Sequence, residues 1–239
     1  MFIKNHHLLM RILGLIPARG GSKGIPRKNI KKLGGQPLLK YTIDSGKRSR
    51  YLSKLILSSE DSGIIEVAKS LGLEVPFVRP GDLSRDATPS LDVLKHALKF
   101  YADQDENFEA VCLLQTTTPF RRDTLIDEAI EKFIDGDYDS VISVREIPAE
   151  FNPHWAFEAH DGVLKIATGE STPITRRQDL PKTYHRDGAI YITKTEVILN
   201  SNSLLGDNIG FIDVSAQDYV NLDTMEDWKK AEEILKKRN

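Results

Sequence analysis

The sequence predicts an α/β protein built on a mainly parallel sheet. Short apolar runs alternate with amphipathic stretches of helical spacing from Arg11 to Pro148. Alternation of this kind implies crossover connections between parallel strands. With 239 residues, 40% of them hydrophobic, the chain can bury one sizeable core. In open sheets of this class ligands collect at the carboxyl ends of the strands, where polar clusters are therefore expected.

"RILGLIPA" (11–18) reads as a buried strand running into a glycine loop. "QPLLKYTIDSGKRS" has helical spacing, with Leu38, Leu39, Thr42, Ile43 and Gly46 toward one side. "KLILSSED" is a short strand with a polar end, and "GIIEVAKSLG" a helix stopped by Gly72. "VPFVRP" is a short extended segment, and "SLDVLKHALKFYA" a helix with Ser90 as its N-cap. "EAVCLLQTTTP" is a central buried strand, followed by the helix "RDTLIDEAIEKFID" and the strand "DSVISVREIP". From Pro148 to about Pro181 the pattern loosens into a subdomain or arm, with a hairpin turning at Asp161–Gly162. A loop then feeds the strand around "GAIYITK". The chain closes with a strand, a polar turn and an amphipathic helix. Residues 1–9 are expected to form a loose extension before a single domain spanning 10–239.

Charge is unevenly spread. The net value is -2, yet nine Lys or Arg and no Asp or Glu precede Asp44. Positive potential is thus expected at one end of the fold. The overall balance and the absence of interleaved aromatics in the basic segment speak against nucleic-acid binding. No apolar run reaches membrane-spanning length, and the opening "MFIKNHHLLM" has too short an apolar core for a signal peptide. One cysteine, Cys112, in an apolar run fits a core position and a reduced, cytoplasmic setting. The six histidines form no metal-ligand spacing.

"LIPARGGSKGIPRKN" (15–29) holds three glycines, a serine and four basic side chains behind the first strand. Glycines let backbone N–H groups approach phosphate oxygens, Ser22 adds a hydroxyl, and Arg19 and Lys23 neutralise charge. The spacing is neither the P-loop nor the dinucleotide pattern. The glycines alone would equally fit an ordinary strand-to-helix turn. Four bases without an acid favour a phosphate.

Here the segment resembles the nucleotide-binding signature of the acylneuraminate cytidylyltransferase family, the CMP-sialic acid synthetases. Five later segments resemble family motifs in family order: "ILSSEDSGIIEVAKSLG", "VPFVRPGDLSRDATPSLD", "LLQTTTPFRR", "RRQDLPKTYHRDGAIYI" and "VNLDTMEDWKKAE". The resemblance implies a three-layer, Rossmann-like nucleotide-diphospho-sugar transferase fold with a small dimerisation arm at about 148–190. It implies that Ala18, Arg19, Gly20, Gly21, Ser22, Lys23 and Asn29 surround the triphosphate of CTP, with Arg79 and Ser90 beside the nucleotide. Gln115, Thr116, Thr117 and Tyr191 would line the pocket of a nine-carbon keto acid sugar. Arg177 would meet its carboxylate from an arm that reaches a neighbouring subunit in a homodimer. Trp155, where some members carry lysine, offers the sugar a flat apolar wall or packs at that interface.

The family's Asp-x-Asp, which holds Mg2+ against the phosphates, appears here as Asn221 and Asp223. On a strand, residues two apart share a face. Asp223 is the expected metal ligand and Asn221 a weaker, neutral one. Asp223 also suits the cap of the last helix. The implied reaction joins the anomeric hydroxyl of a keto acid sugar to the α-phosphate of CTP, with Arg19, Lys23 and Asp223 stabilising charge. Activation of 3-deoxy-manno-octulosonate, use of GTP, and a catalytically weakened sugar-nucleotide binder stay open as alternatives.

Overall fold

A computed structural model describes residues 10–238; the extension expected at 1–9 lies outside them. The central sheet has six strands: β1 (Ile12–Pro17), β2 (Leu52–Ser58), β3 (Ala110–Leu113), β4 (Ser140–Glu146), β7 (Tyr184–Lys194) and β8 (Ile209–Asp213). A detached hairpin supplies β5 (Phe157–His160) and β6 (Val163–Ile166). The order across the main sheet is β8-β4-β7-β3-β1-β2. β1 runs parallel to β2 and β3, and β8 parallel to β4. Only β7 is antiparallel to its neighbours β3 and β4. The sheet is mainly parallel, as expected.

Helices cover both faces, which makes three layers. On one face α1 (Leu38–Arg48), α2 (Ser62–Ser70) and α4 (Leu125–Asp135) bury Leu39, Ile43, Ile64, Ala68, Ala129 and Phe133 against Ile12, Ile16, Cys112 and Ile192. On the other, α3 (Ser90–Ala102) and α5 (Thr195–Asn200) bury Val93, Leu94, Leu98 and Ile198 against Leu13, Leu15, Val111 and Leu113. β1 is apolar at successive positions because neither of its faces meets water. Cys112 is fully buried, and burial pushes its thiol up to about 12. The last helix, α6 (Met225–Arg238), inserts Trp228 and Ala231 beside Ile25, Leu33 and Leu222, and so packs the glycine loop against the chain's end.

Local chemistry explains most boundaries. Asp61 caps α2 by accepting from the Ile64 amide at 2.8 Å, and Gly72, at φ +69, ends it. The hairpin turns at Asp161 and Gly162, both at positive φ, the two-residue turn that matches strand twist. Two expectations shift. Pro89, not Ser90, occupies the cap of α3, and Ser90 is its first residue. The main sheet also reclaims the chain at Tyr184, inside the stretch expected to be arm. "VPFVRP" (75–80) forms no strand: the residue before it, Glu74, bridges to Ile56 of β2, and its Arg79 amide donates to the Ser59 carbonyl at 2.9 Å.

A candidate active site at the carboxyl edge of the sheet

β1, β2 and β3 are parallel, so the loops that follow them emerge at one edge. The glycine loop, "SED" (59–61) and "QTTT" (115–118) meet there. The glycine loop, "QTTT" and the connection into α3 line a cleft of about 400 Å3 that contains Arg19, Ser22, Asn29, Arg79, Ser90, Gln115, Thr116, Thr117, Asn221 and Asp223, together with Lys28, Arg85 and Asp86, while "SED" stands behind it. Most of the sequence-predicted nucleotide residues are therefore gathered in one place.

The loop is held from behind. The Ala18 amide donates to the Ser58 carbonyl at 3.0 Å and the Gly20 amide to Glu60 Oε1 at 2.7 Å. Glu60 Oε2 accepts from Arg79 Nη2 at 2.9 Å, and Arg79 Nε donates to Ser84 Oγ at 2.9 Å. Arg79 pairs with Glu60 rather than with Asp82 or Asp86, which are nearer in sequence. Arg79 is buried, so its charge needs a partner, and Glu60 lies nearer the interior. Burial acts to raise the Glu60 carboxyl, but the Gly20 amide and the Arg79 guanidinium outweigh it and hold it below the usual glutamate value.

Gly21 faces open space, and a β-carbon there would meet nothing within 4 Å. Gly24 is different. A β-carbon would fall 1.9 Å from the Asp223 carbonyl oxygen, so glycine is required for the loop to lie against the 221–224 segment. Asn29 is buried and its amide is used internally: Nδ2 donates to the Arg19 carbonyl at 3.0 Å, and Oδ1 accepts from the Thr116 hydroxyl at 2.7 Å. Arg19 and Lys23 both pair with Asp86, Lys23 at 2.5 Å.

Asn221 and Asp223 do not lie on a strand. The Leu222 amide donates to the Thr117 carbonyl at 2.9 Å, which pins an extended segment and still turns both flanking side chains the same way. Asn221 Nδ2 donates to Asp223 Oδ2 at 2.5 Å. Asp223 does not cap α6. That task falls to Thr224 and Asp227, which bond each other's amides at 3.2 and 2.9 Å. The Asp223 carboxylate is thus left 63% exposed in the cleft. Lys28, which sequence reasoning counted among the basic residues but assigned no role, sends Nζ to the Leu222 carbonyl at 2.5 Å and lies 3.4 Å from Asp223 Oδ1. Burial lowers its ammonium from the usual lysine value against the pull of Asp223.

A second cleft of about 440 Å3 opens beside the first. The two share Ser90, Gln115 and Asn221, and the second adds Leu91, Arg186, Gly188, Tyr191, Leu204 and Tyr219. A bulge in β7 builds its wall. Ile142 faces Tyr191 and Val144 faces Arg186, so β7 takes five steps where β4 takes two. Ser143 and Asp187 close the bulge: Ser143 Oγ donates to Asp187 Oδ1 at 2.5 Å and accepts from the Ile190 amide at 2.9 Å, and Asp187 Oδ1 also accepts from the Ala189 amide at 3.0 Å. An asparagine at this position would present the same acceptor oxygen. Gly188, at φ +82, leaves room for Gln115, whose Oε1 would stand 2.9 Å from any β-carbon there. Behind both clefts Arg121 is buried and donates to the Gln115 and Ala189 carbonyls and to Thr42.

Two predicted substrate residues line neither cleft of their own chain. Trp155 donates Nε1 to the Ile174 carbonyl at 2.5 Å and ties loops of the arm together. Arg177 starts a short 3-10 turn (Arg177–Asp179) and is exposed. Both lie in the irregular stretch before β7, away from the sheet edge. Arg186, Lys28, Arg85 and Asp86 line the clefts and Glu60 stands behind the glycine loop, and sequence reasoning gave none of them a role at the site. Among the described residues no group of three or more His, Cys, Asp or Glu is placed to hold a metal ion.

Comparison with known proteins agrees with this geometry. A cytidylyltransferase family model matches residues 13–205. The pseudaminic acid cytidylyltransferase of Campylobacter jejuni is 33% identical over 95% of this chain and 97% of its own length. The CMP-N,N'-diacetyllegionaminic acid synthase of Legionella pneumophila is 30% identical, with 95% and 97% coverage. An N-acylneuraminate cytidylyltransferase of Streptococcus agalactiae is 31% identical over 92% of this chain but only 52% of that protein. Among solved structures, a CMP:2-keto-3-deoxy-manno-octonic acid synthetase complexed with CTP superposes with a TM-score of 0.72 at 15% identity over 96% of this chain and 100% of its own. It shares the fold. Motifs, architecture and relatives agree, and the chain belongs to the cytidylyltransferase family.

Proposed function

We propose that this protein activates a nine-carbon, sialic-acid-like keto acid sugar with CTP, releasing pyrophosphate and forming a CMP-sugar. The observation that carries the reading is the pair of adjoining clefts. One is basic and floored by a glycine loop. The other is lined by an amide, phenols and a guanidinium. They meet at Ser90, Gln115 and Asn221, where a transferred phosphoryl group and an attacking hydroxyl would meet. The named relatives act on acids of this class.

In this reading the triphosphate lies along the glycine loop, and Arg19, Lys23 and Lys28 balance its charge. Gln115 and Ser90, at the junction, orient the hydroxyl toward the α-phosphate. Asp223 and Asn221 suit Mg2+, which is commonly held by one or two protein oxygens and completed by phosphates and water. The exposure of Asp223 and its freedom from capping are consistent with that role. The ion would supply charge neutralisation to the phosphates. The proposal includes a homodimer whose arm carries Arg177 and Trp155 toward the partner, working in the cytoplasm. No helix among the described residues is long and apolar enough to cross a membrane.

The test is pyrophosphate release with Mg2+, comparing CTP with other nucleoside triphosphates over N-acetylneuraminic, pseudaminic and diacetyllegionaminic acids and 3-deoxy-manno-octulosonate. Release with CTP and one nine-carbon acid is expected. Release only with the octulosonate, only with GTP, or with no pair despite tight CTP binding would overturn the reading.

A further inference from the structure

We infer that Arg186, rather than Arg177, is the guanidinium that receives the acid sugar's carboxylate. The inference rests on the proposed function and assigns a specificity-determining residue within its second cleft.

Most cations at the sheet edge are already occupied, and Arg85 lines the first cleft rather than the second. Arg19 and Lys23 hold Asp86. Arg79 is spent on Glu60 and Ser84, and Lys28 on the Leu222 carbonyl and Asp223. Arg145, behind the second cleft, donates to the Val214, Ser215 and Gln217 carbonyls. Arg186 is the cation that lines the second cleft itself, and it is exposed. Among the described residues its side chain has no hydrogen bond or ion pair. Its neighbour Asp187 does not serve it, because that carboxylate is buried and committed to Ser143 and the Ala189 amide.

The surroundings suit a bound carboxylate. Arg186 is close enough to Tyr191 to pull its phenol down, although burial, the larger effect, keeps that phenol raised. A phenol that stays protonated is a hydrogen-bond donor at neutral pH, and Gln115 offers a further amide donor from the facing loop. A fork plus neutral donors is the arrangement that binds a planar carboxylate well. The β7 bulge aims Arg186 into this cleft, since Arg186 is the last paired residue before the ladder breaks. Arg177 has no such placement in its own chain.

The experiment compares wild type with Arg186→Gln, Arg186→Lys and Arg177→Gln. It uses whichever of N-acetylneuraminic, pseudaminic or diacetyllegionaminic acid the wild type turns over, and the C1 carboxamide of the same acid. Losing a charge-assisted fork is worth about 10- to 100-fold. The expected result for Arg186→Gln is a KM for the acid raised by about that factor, with KM for CTP and the melting temperature essentially unmoved. Arg186→Lys recovers part of the loss. The preference of wild type for acid over carboxamide collapses in Arg186→Gln. An unchanged KM for the acid, equal losses on acid and carboxamide, a collapse only in Arg177→Gln, or loss of CTP binding in Arg186→Gln by calorimetry would overturn the inference. A wild type that releases pyrophosphate with none of the acids fails at the reading of function, and the role of Arg186 falls with it.

Discussion

Removing the guanidinium of Arg79 tests whether the phosphate loop is held by the relay from Arg79 through Glu60 to Gly20. Arg79→Met keeps most of the buried stem and deletes the charge. Breaking a fully buried ion pair costs about 3–5 kcal/mol. Here Arg79 is 4% exposed but Glu60 keeps 24% of its side chain in solvent, so the penalty is discounted to about 1–3 kcal/mol. For a domain of this size about 2 kcal/mol lowers the melting temperature by about 4–8 °C. Because Glu60 also accepts the Gly20 amide, weaker CTP binding should accompany the loss. The pH dependence follows from sign. Glu60 is held below its unfolded value, so the stabilisation is fully present above about pH 4.3 and is lost as pH falls through the folded value. The gap between wild type and Arg79→Met should be widest near neutrality and close in acid. Adding Glu60→Gln should return part of the stability, since the amide still accepts from Gly20 and no orphan charge remains. Thermal melts and urea titrations from pH 3 to 7 measure this. A melting shift under 1 °C at pH 7, or a gap that does not change with pH, would refute the relay.

Further outcomes are expected elsewhere at the site. Asp223→Ala should lower kcat by about 100-fold or more in the pyrophosphate assay, with the melting temperature kept, because Thr224 and Asp227 cap α6 without it. Gly24→Ala should destabilise by about 1–3 kcal/mol in urea, since its methyl group meets the Asp223 backbone rather than a yielding side chain. Asp86→Asn should tighten CTP binding a few-fold by calorimetry at low salt, because Arg19 and Lys23 no longer have to leave a carboxylate to meet phosphate, and the gain should shrink as salt rises.

The alternation of strands and helices, the hairpin at Asp161–Gly162 and the gathering of polar clusters at one sheet edge were all readable in the sequence, because each has a local cause in periodicity, turn chemistry or topology. The residues that went unseen have non-local causes. Glu60 sits in "SSED", where its neighbour Asp61 has the obvious job of capping α2. Nothing nearby announces that Glu60 reaches both Gly20 and Arg79. The pairing of Asp86 with the glycine loop spans 67 residues. The β7 bulge depends on Ser143, a polar residue that alone reads as an interruption in an apolar strand, and without the bulge Arg186 looks like one basic residue in a basic stretch. Arg177 and Trp155 carried the stronger motif signal, yet they stand on the arm. Motif position reports which segment takes part in a function, and not whether a side chain meets a ligand within its own chain.

The two clefts are walled from opposite halves of the sheet and touch only at Ser90, Gln115 and Asn221. In the proposed reading the donor half is made of the loops after β1 and β3 and the 79–90 connection into α3, and the acceptor half largely of the bulge in β7. On that reading, substitutions on the bulge would change which sugar is accepted without retuning the residues that hold the nucleotide. A family built this way can diversify its acceptors by drift in a few residues of one strand. Relatives named for three different acid sugars would then resemble this chain to a nearly equal degree, as they do.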